Sequence, residues 1–489
     1  MGSLLFTLDH EHPVNFVQTE FLWFMLIVFT VYWAAGTLRH GRVLQNVLLV
    51  GASMTFYGWV RPEFLLLLYF SATLDYFLGR LMEKHPLYKS YLLMTSIAGN
   101  IGVLCYFKYF NFFIDNIASA ISLMGLDPNL RTLSIILPVG VSFYTFQTLS
   151  YTIDIYRGEL KARTNYLDYI VFVSFFPQLV AGPIERAGRL LPQVEKARVF
   201  DIDKVLSGLS LAMWGAFKKI CLADTVAPYV DKVFILEDPS GPLIWAASIG
   251  FMMQIFADFS GYTDIARGTA RMLGFELVEN FKSPYLAAST PEFWQRWHIS
   301  LSFWIRDYIM VPLLGTSSRL TLLRFIWATI ATFTIIGFWH GASWNFILFG
   351  AFHGVWMTIY TLVNRHMPQR VRTVPFGRPM AVTFHLLAVS IPGSMLFRET
   401  HVQRIWQHLT KNPFVASDAE WMATSVVLGM VAVVSFPLCV AHVVERWVLP
   451  KIEGSRWMLP LQTTTWSLYA VGMFVFYRVS TYDFIYFQF

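Results

Sequence analysis

Charge is what this sequence has least of. Asp, Glu, Lys and Arg make up 14% of its 489 residues, where soluble domains carry about a quarter. Hydrophobic residues reach 55% and the mean hydropathy is +0.50. A soluble globular fold is excluded, and a polytopic membrane protein is expected. Cysteine is scarce too. Cys105, Cys221 and Cys439 show no paired spacing, which argues against a disulfide framework or a zinc site and for small buried hydrophobes. The first nineteen residues contain no Lys or Arg, so the positive region of a secretory signal is missing. His10, Glu11 and His12 read as part of a solvated tail, not as a metal site. There is no internal repeat, no low-complexity tract and no G-x-S-x-G elbow for a serine nucleophile. The net charge of +6 is assigned to loops at the cytoplasmic membrane face, and no nucleic-acid partner is expected.

What is present is a series of apolar stretches of bilayer length. They are Phe21–Ala35, Leu44–Val60, Phe64–Leu78, Tyr91–Phe107, Leu133–Ile155, Val205–Phe217, Leu243–Ala257, Leu322–Phe338, Trp344–Leu362, Val382–Leu396, Met422–Val440 and Thr465–Phe476. Cations alternate between the links. Arg39 and Arg42, then Arg80, Lys84 and Lys89, then Arg157, Lys161 and Arg163 fall on one side. The link with Arg365, Arg370, Arg372 and Arg378 is the most basic. The positive-inside rule puts these links in the cytoplasm and the N-terminal tail, residues 1–19, outside. The segment "VFVSFFPQLVAGPIERAGRL" is apolar but broken by Pro177, Gly182 and Pro183, with cations on both flanks. It is expected to be re-entrant or to lie on the membrane surface. Broken backbone at membrane depth needs protein or a wet cavity to satisfy it, so a cavity is expected nearby.

Ionisable residues inside such stretches are expensive and are candidates for function. "FADFSGYTDIARGTARMLGF" gathers Asp258, Asp264, Arg267 and Arg271. Helical spacing makes Asp264 and Arg267 neighbours. A functional site and an internal ion pair that joins helices both fit. In "STPEFWQRWHISLSFWIRDYIMVPL", Ser289 or Thr290 can cap a helix from Pro291. That helix places Trp294, Trp297, His298 and Phe303 near an apolar face, with Arg296, Arg306 and Asp307 elsewhere around it. "TIIGFWHGASWNFILFGAFHGVW" ends an apolar span at His340, beside Gly341, with Trp339 and Trp344 flanking and Ser343 and Asn345 able to hydrogen-bond. An imidazole there is kept from bulk water, and a neutral imidazole can take a proton from a hydroxyl. A structural bond to a helix carbonyl explains it equally well. His353, deep in the next span, is expected to pack.

These segments resemble the membrane-bound O-acyltransferase family, in its bacterial alginate O-acetylase branch. The matching stretches are "SFYTFQTLSYTIDIYRG", "FFPQLVAGPIER", "FADFSGYTDIARGTARMLGF", "NFKSPYLAASTPEFWQRWHISLSFWIRDYI", "IIGFWHGASWNFILFGAFHG" and "FIYFQF", in order from Ser142 to Phe489. The resemblance implies an all-α bundle of about 11–13 transmembrane helices with re-entrant or interfacial helices around a funnel. One membrane-embedded acyltransferase domain, 1–489, is expected, its core segments within 142–356. The His of the "WHG" segment, here His340, is implied to be catalytic, with His298 of "RWHISLS" as the second residue. Gln147, Asp258, Tyr262, Asp264, Lys282, Arg296, Trp297, Arg306, Trp339 and Asn345 are expected along the substrate path. Lys282, Arg296 and Arg306 are candidates for the donor's phosphates.

The implied reaction passes acetyl groups from cytoplasmic acetyl-CoA across a bacterial inner membrane. The acceptor would be a secreted exopolysaccharide, alginate, cellulose or similar. Periplasmic or membrane-anchored partner proteins would complete the transfer, and membrane lipids surround the chain. No tightly bound cofactor and no metal are expected. Three other readings stand. One is D-alanyl transfer to a teichoic acid. Another is a solute transporter, which shares broken spans and buried charges. The last is a haem or metal protein using His340, His353, His385 or His442.

Overall fold

The computed structural model describes residues 16–59, 61–128, 130, 132–315, 321–366, 377–452, 454–477 and 484–485. The tail with His10, Glu11 and His12, Arg370 and Arg372 of the basic link, and the last four residues of "FIYFQF" lie outside them. Every regular element among the described residues is helical. Nine of these helices are long and apolar enough to cross a membrane: Thr19–Gly36, Glu63–Lys84, Pro86–Leu123, Ile202–Ile235, Gly241–Met272, Leu322–His340, Trp344–Arg365, Gly377–Arg398 and Asp418–Ile452. Three more, Gly41–Gly58, Val141–Arg157 and Met458–Phe476, have 18, 17 and 19 residues.

Several helices run beyond the expected spans, and two boundaries that differ show the physical reason. The span expected at Leu243–Ala257 continues to Met272. Its charged residues do not end it because they are paired: Asp258 with Lys219 at 2.7 Å and Asp264 with Arg267 at 3.1 Å. The span expected from Leu133 begins only at Val141. Gly140 before it is left-handed, φ +75°, and a Cβ there would meet the Leu179 carbonyl oxygen at 2.6 Å. Only glycine tolerates both conditions.

The chain divides into two compact units, Met1–Ala212 with Thr263–Val278, and Met213–Tyr262 with Glu279–Phe489. In the first, the broken segment forms the helices Tyr166–Ser174, Phe176–Leu179 and Ala187–Glu195 and is largely buried. The segment is thus covered by protein on most sides. Protein groups satisfy the interrupted backbone, as membrane depth requires. The Gln178 amide donates to the Phe172 carbonyl at 2.7 Å, and the Ser53 hydroxyl accepts the Phe176 amide at 3.1 Å. An apolar pocket lies just ahead of this segment. It measures ≈ 280 Å³ and is lined by Tyr166, Leu167 and Ile170 with Val50, Met54 and Tyr69.

In the second unit, the helices Leu322–His340 and Trp344–His366 form a tight hairpin. Small residues let their backbones approach, a common device between membrane helices. A Cβ on Gly337 would meet the Phe346 carbonyl oxygen at 2.0 Å, and one on Gly350 the Phe333 carbonyl oxygen at 2.2 Å. The turn of this hairpin carries His340.

Candidate active site

His340 is the last residue of its helix and is 4% exposed. Its ring meets Trp339 at 5.0 Å, Phe397 at 5.2 Å and Phe349 at 5.9 Å between centroids. The next residue, Gly341, is extended, and its glycine is required by space: a Cβ would meet the Phe346 ring at 2.3 Å. Asn345 fixes the facing wall, its amide donating to the carbonyls of Leu396 and Phe397 at 3.2 and 3.4 Å. Ser343 donates in turn to the Asn345 side-chain oxygen.

His340 lines a cavity of ≈ 50 Å³. Trp294, Trp297, Phe349 and Phe397 make its walls aromatic, and His353, Ser390 and Ser394 add polar atoms. Of the expected site residues, His340 and Trp297 meet here. The other wall, Ser390 to Phe397, comes from the Gly377–Arg398 helix, which was expected as a span but not as part of the site. Its only signal is the "SIPGS" interruption of an apolar run.

His298 does not sit on a continuous helix as expected. The helix Thr290–Trp294, capped by Ser289 whose hydroxyl accepts the Glu292 amide at 3.3 Å, stops short of it, and Ile299–Ile305 starts after it. His298 itself is left-handed, φ +41°, and fully buried. Such a conformation is unusual for a residue with a side chain and marks a site worth explaining. Its ring stands edge-on to Phe259 at 4.7 Å and 6.4 Å from Trp339. His298 is not among the residues lining the His340 cavity; Trp339 contacts both histidine rings. Burial pushes the His298 imidazole down to about 3, so it is neutral at physiological pH.

Asp258 and Tyr262 belong to a different construction. The Lys219 ammonium, 1% exposed, lies 2.7 Å from both Asp224 and Asp258 and 5.7 Å from the Tyr262 ring. The second oxygen of Asp258 accepts the Ile485 amide at 2.8 Å, and Phe484 packs on Tyr262 and Phe259 at 4.6 and 5.6 Å. A buried ion cluster thus holds the described end of the chain. Sequence reasoning missed Lys219 and Asp224; the Lys pair inside the apolar run "MWGAFKKICLADTV" was the available signal.

The expected cations lie at the surface. Arg296 pairs with Glu292 at 2.8 Å, and so does Arg378 at 2.7 Å. Lys282 pairs with Glu279 at 3.3 Å, and its backbone amide donates to the Arg296 carbonyl at 2.9 Å. Arg306 is exposed, bonded to Asp307 at 2.7 Å and stacked over Phe303. Asp264, with Arg267, and the buried Gln147 belong to the other compact unit. His442 bonds Ser283 at 3.1 Å, and His385 lies 3.4 Å from the Ser390 hydroxyl.

A helical membrane protein with a buried histidine beside a small aromatic cavity is the class that fold and site define, and comparison gives the family. Residues 28–397 match the model of the membrane-bound O-acyltransferase family, and the chain belongs to that family and is an O-acyltransferase. Its relatives include a probable alginate O-acetylase of Azotobacter vinelandii, 36% identical over 80% of this chain and 76% of that one. A peptidoglycan O-acetyltransferase of Helicobacter pylori is 31% identical over 74% of this chain and 73% of that one. A teichoic acid D-alanyltransferase of Bacillus subtilis is 28% identical over 51% of this chain and 66% of that one.

Proposed function

We propose that this O-acyltransferase takes acetyl groups from cytoplasmic acetyl-CoA and passes them across the bacterial inner membrane for O-acetylation of a secreted polysaccharide. The observation that carries the reading is the His340 cavity. At ≈ 50 Å³ it has room for about three to five water-sized groups, which suits a two-carbon acyl group. The alginate and peptidoglycan acetylases named above match 80% and 74% of the chain, whereas the D-alanyltransferase matches 51% of it, which favours acetyl over D-alanyl transfer.

In the reaction, an acceptor hydroxyl adds to the thioester carbonyl carbon while His340 takes its proton. The tetrahedral centre then collapses, the carbon–sulfur bond breaks, and the thiolate leaves as a thiol with the proton returned. The cluster of Lys282, Arg296 and Arg378 suits the phosphates of the coenzyme. It adjoins the segment 284–297, which supplies Tyr285, Phe293, Trp294 and Trp297 to the cavity wall. The cationic links face the cytoplasm and the N-terminus faces outward. Periplasmic or membrane-anchored partner proteins carry the acetyl group onward to the polymer.

Labelled acetyl-CoA incubated with the purified protein tests the donor. Release of free thiol is expected; solute flux without thioester turnover would instead make the chain a transporter. Mass spectrometry of the secreted polymers from cells with and without this protein identifies the acceptor. An unchanged acetyl content in every polymer would sink the proposal.

A further inference from the structure

The His340 cavity holds a second imidazole. His353 lines the same space and is 2% exposed, yet its Nδ1 makes no hydrogen bond. Aromatic rings enclose it: Phe293 lies parallel at 6.1 Å, and Trp294, Phe349 and Phe352 stand edge-on at 5.2, 4.7 and 5.5 Å. Phe349 also touches the His340 ring, so one phenyl group flanks both imidazoles. A glycine leaves room for the His353 ring. A Cβ on Gly393, itself part of the cavity wall, would come within 2.8 Å of Nε2.

A packing role, which the sequence suggested, does not explain this arrangement. Phenylalanine or leucine would fill an aromatic cage without burying polar nitrogens, and an unsatisfied buried nitrogen is a cost that needs a reason. An imidazole always offers at least one N–H. Buried beside the space where the acyl group sits, such a donor is suited to negative charge that develops on a carbonyl oxygen.

We propose that His353 is a further catalytic residue of the acyl transfer, donating an N–H to the acyl carbonyl oxygen as the carbon becomes tetrahedral. The assignment rests on the acetyl donor proposed above. The acceptor oxygen adds to the carbon and its proton goes to His340. The carbonyl electron pair moves onto oxygen, where His353 holds it by hydrogen bonding. The pair returns as the carbon–sulfur bond breaks, and the proton leaves on sulfur. His353 neither gains nor loses a proton over the cycle.

The test is steady-state thiol release from acetyl-CoA by the purified full-length protein, with His353→Phe, His353→Leu and His353→Gln compared with the unaltered chain. Phe and Leu keep the packing and lose the donor, and Gln keeps a donor. The Phe and Leu variants should melt near the unaltered temperature but lose about 100- to 1,000-fold in kcat, with KM for acetyl-CoA nearly unchanged. Gln should recover at least about a tenth of the unaltered kcat, as a hydrogen-bond donor would. The assignment fails if the Phe or Leu variant, whichever folds, turns over normally, or if folded Gln is as slow as they are. An unaltered protein that releases no thiol sinks the proposed donor along with this assignment. Normal turnover by all variants sinks this assignment alone.

Discussion

Asn280 fixes the tautomer of His298. Its side-chain oxygen accepts the Ser300 amide at 3.1 Å and the Ser300 hydroxyl at 2.9 Å, and stands 3.3 Å from His298 Nδ1. The backbone amide can only donate, so the Asn280 atom it meets is the oxygen. His298 Nδ1 therefore carries the hydrogen, and in the neutral ring Nε2 carries the lone pair. Asn280→Ala removes all three bonds at a buried site. It should destabilise the protein by about 1–3 kcal/mol and lower kcat more than it raises KM, because the ring loses its orientation. Melting temperature and thiol-release kinetics measure the two effects. Unchanged kinetics would remove Asn280 from any positioning role.

The burial of His298 makes a pH prediction. Its folded value of about 3 lies below the 6.5 of a free imidazole. Between those values the unfolded chain binds a proton that the folded chain does not, so stability falls as the pH drops below about 6.5. One such proton contributes up to about 1.4 kcal/mol per pH unit. His298→Gln removes the contribution. The variant should therefore lose less stability than the unaltered chain when melting is compared at pH 7.5 and pH 5. Equal losses would mean that the ring titrates normally.

The Lys219 cluster should behave as a unit. Lys219→Met leaves Asp224 and Asp258 buried without their cation, and breaking a buried pair in this way costs about 3–5 kcal/mol. Asp258→Asn keeps an acceptor for the Ile485 amide, and Asp224 still faces the lysine, so it should cost less. Thermal shifts in detergent rank the two. A harmless Lys219→Met would show that the ammonium is dispensable for holding Phe484 and Ile485.

Most of the helical frame was legible in the sequence, because bilayer-length apolar runs report local composition. His340 was legible as a candidate because an imidazole ending such a run is out of place. What stayed hidden depends on distant partners. The Gly241–Met272 helix looked as if it ended at Ala257 because the lysine that neutralises Asp258 lies nearly forty residues earlier in the chain. The break at His298 was invisible because Asn280 and Phe259, which frame the ring, come from separate segments. That His353 shares a cavity with His340 was hidden because residues 390–397 of another helix complete that cavity. Periodicity shows which residues a helix buries, and it is silent on what they meet.

The hairpin turn offers a sharper test of the His340 assignment than deletion alone. His340→Ala should lower thiol release by about 100- to 10,000-fold, the usual worth of a general base, while the protein inserts at normal levels. Gly341→Ala leaves the imidazole in place but puts a methyl group 2.3 Å from the Phe346 ring. That ring packs on Phe397 at 4.9 Å, and Phe397 packs on His340 at 5.2 Å and forms part of the cavity wall. Displacing Phe346 must therefore shift the wall facing the histidine. Gly341→Ala should lose activity through kcat, and Gly341→Ala combined with Phe346→Leu, which withdraws the ring edge, should regain part of it. Full activity in Gly341→Ala alone would mean that the close fit around this turn has no bearing on how His340 meets its substrate.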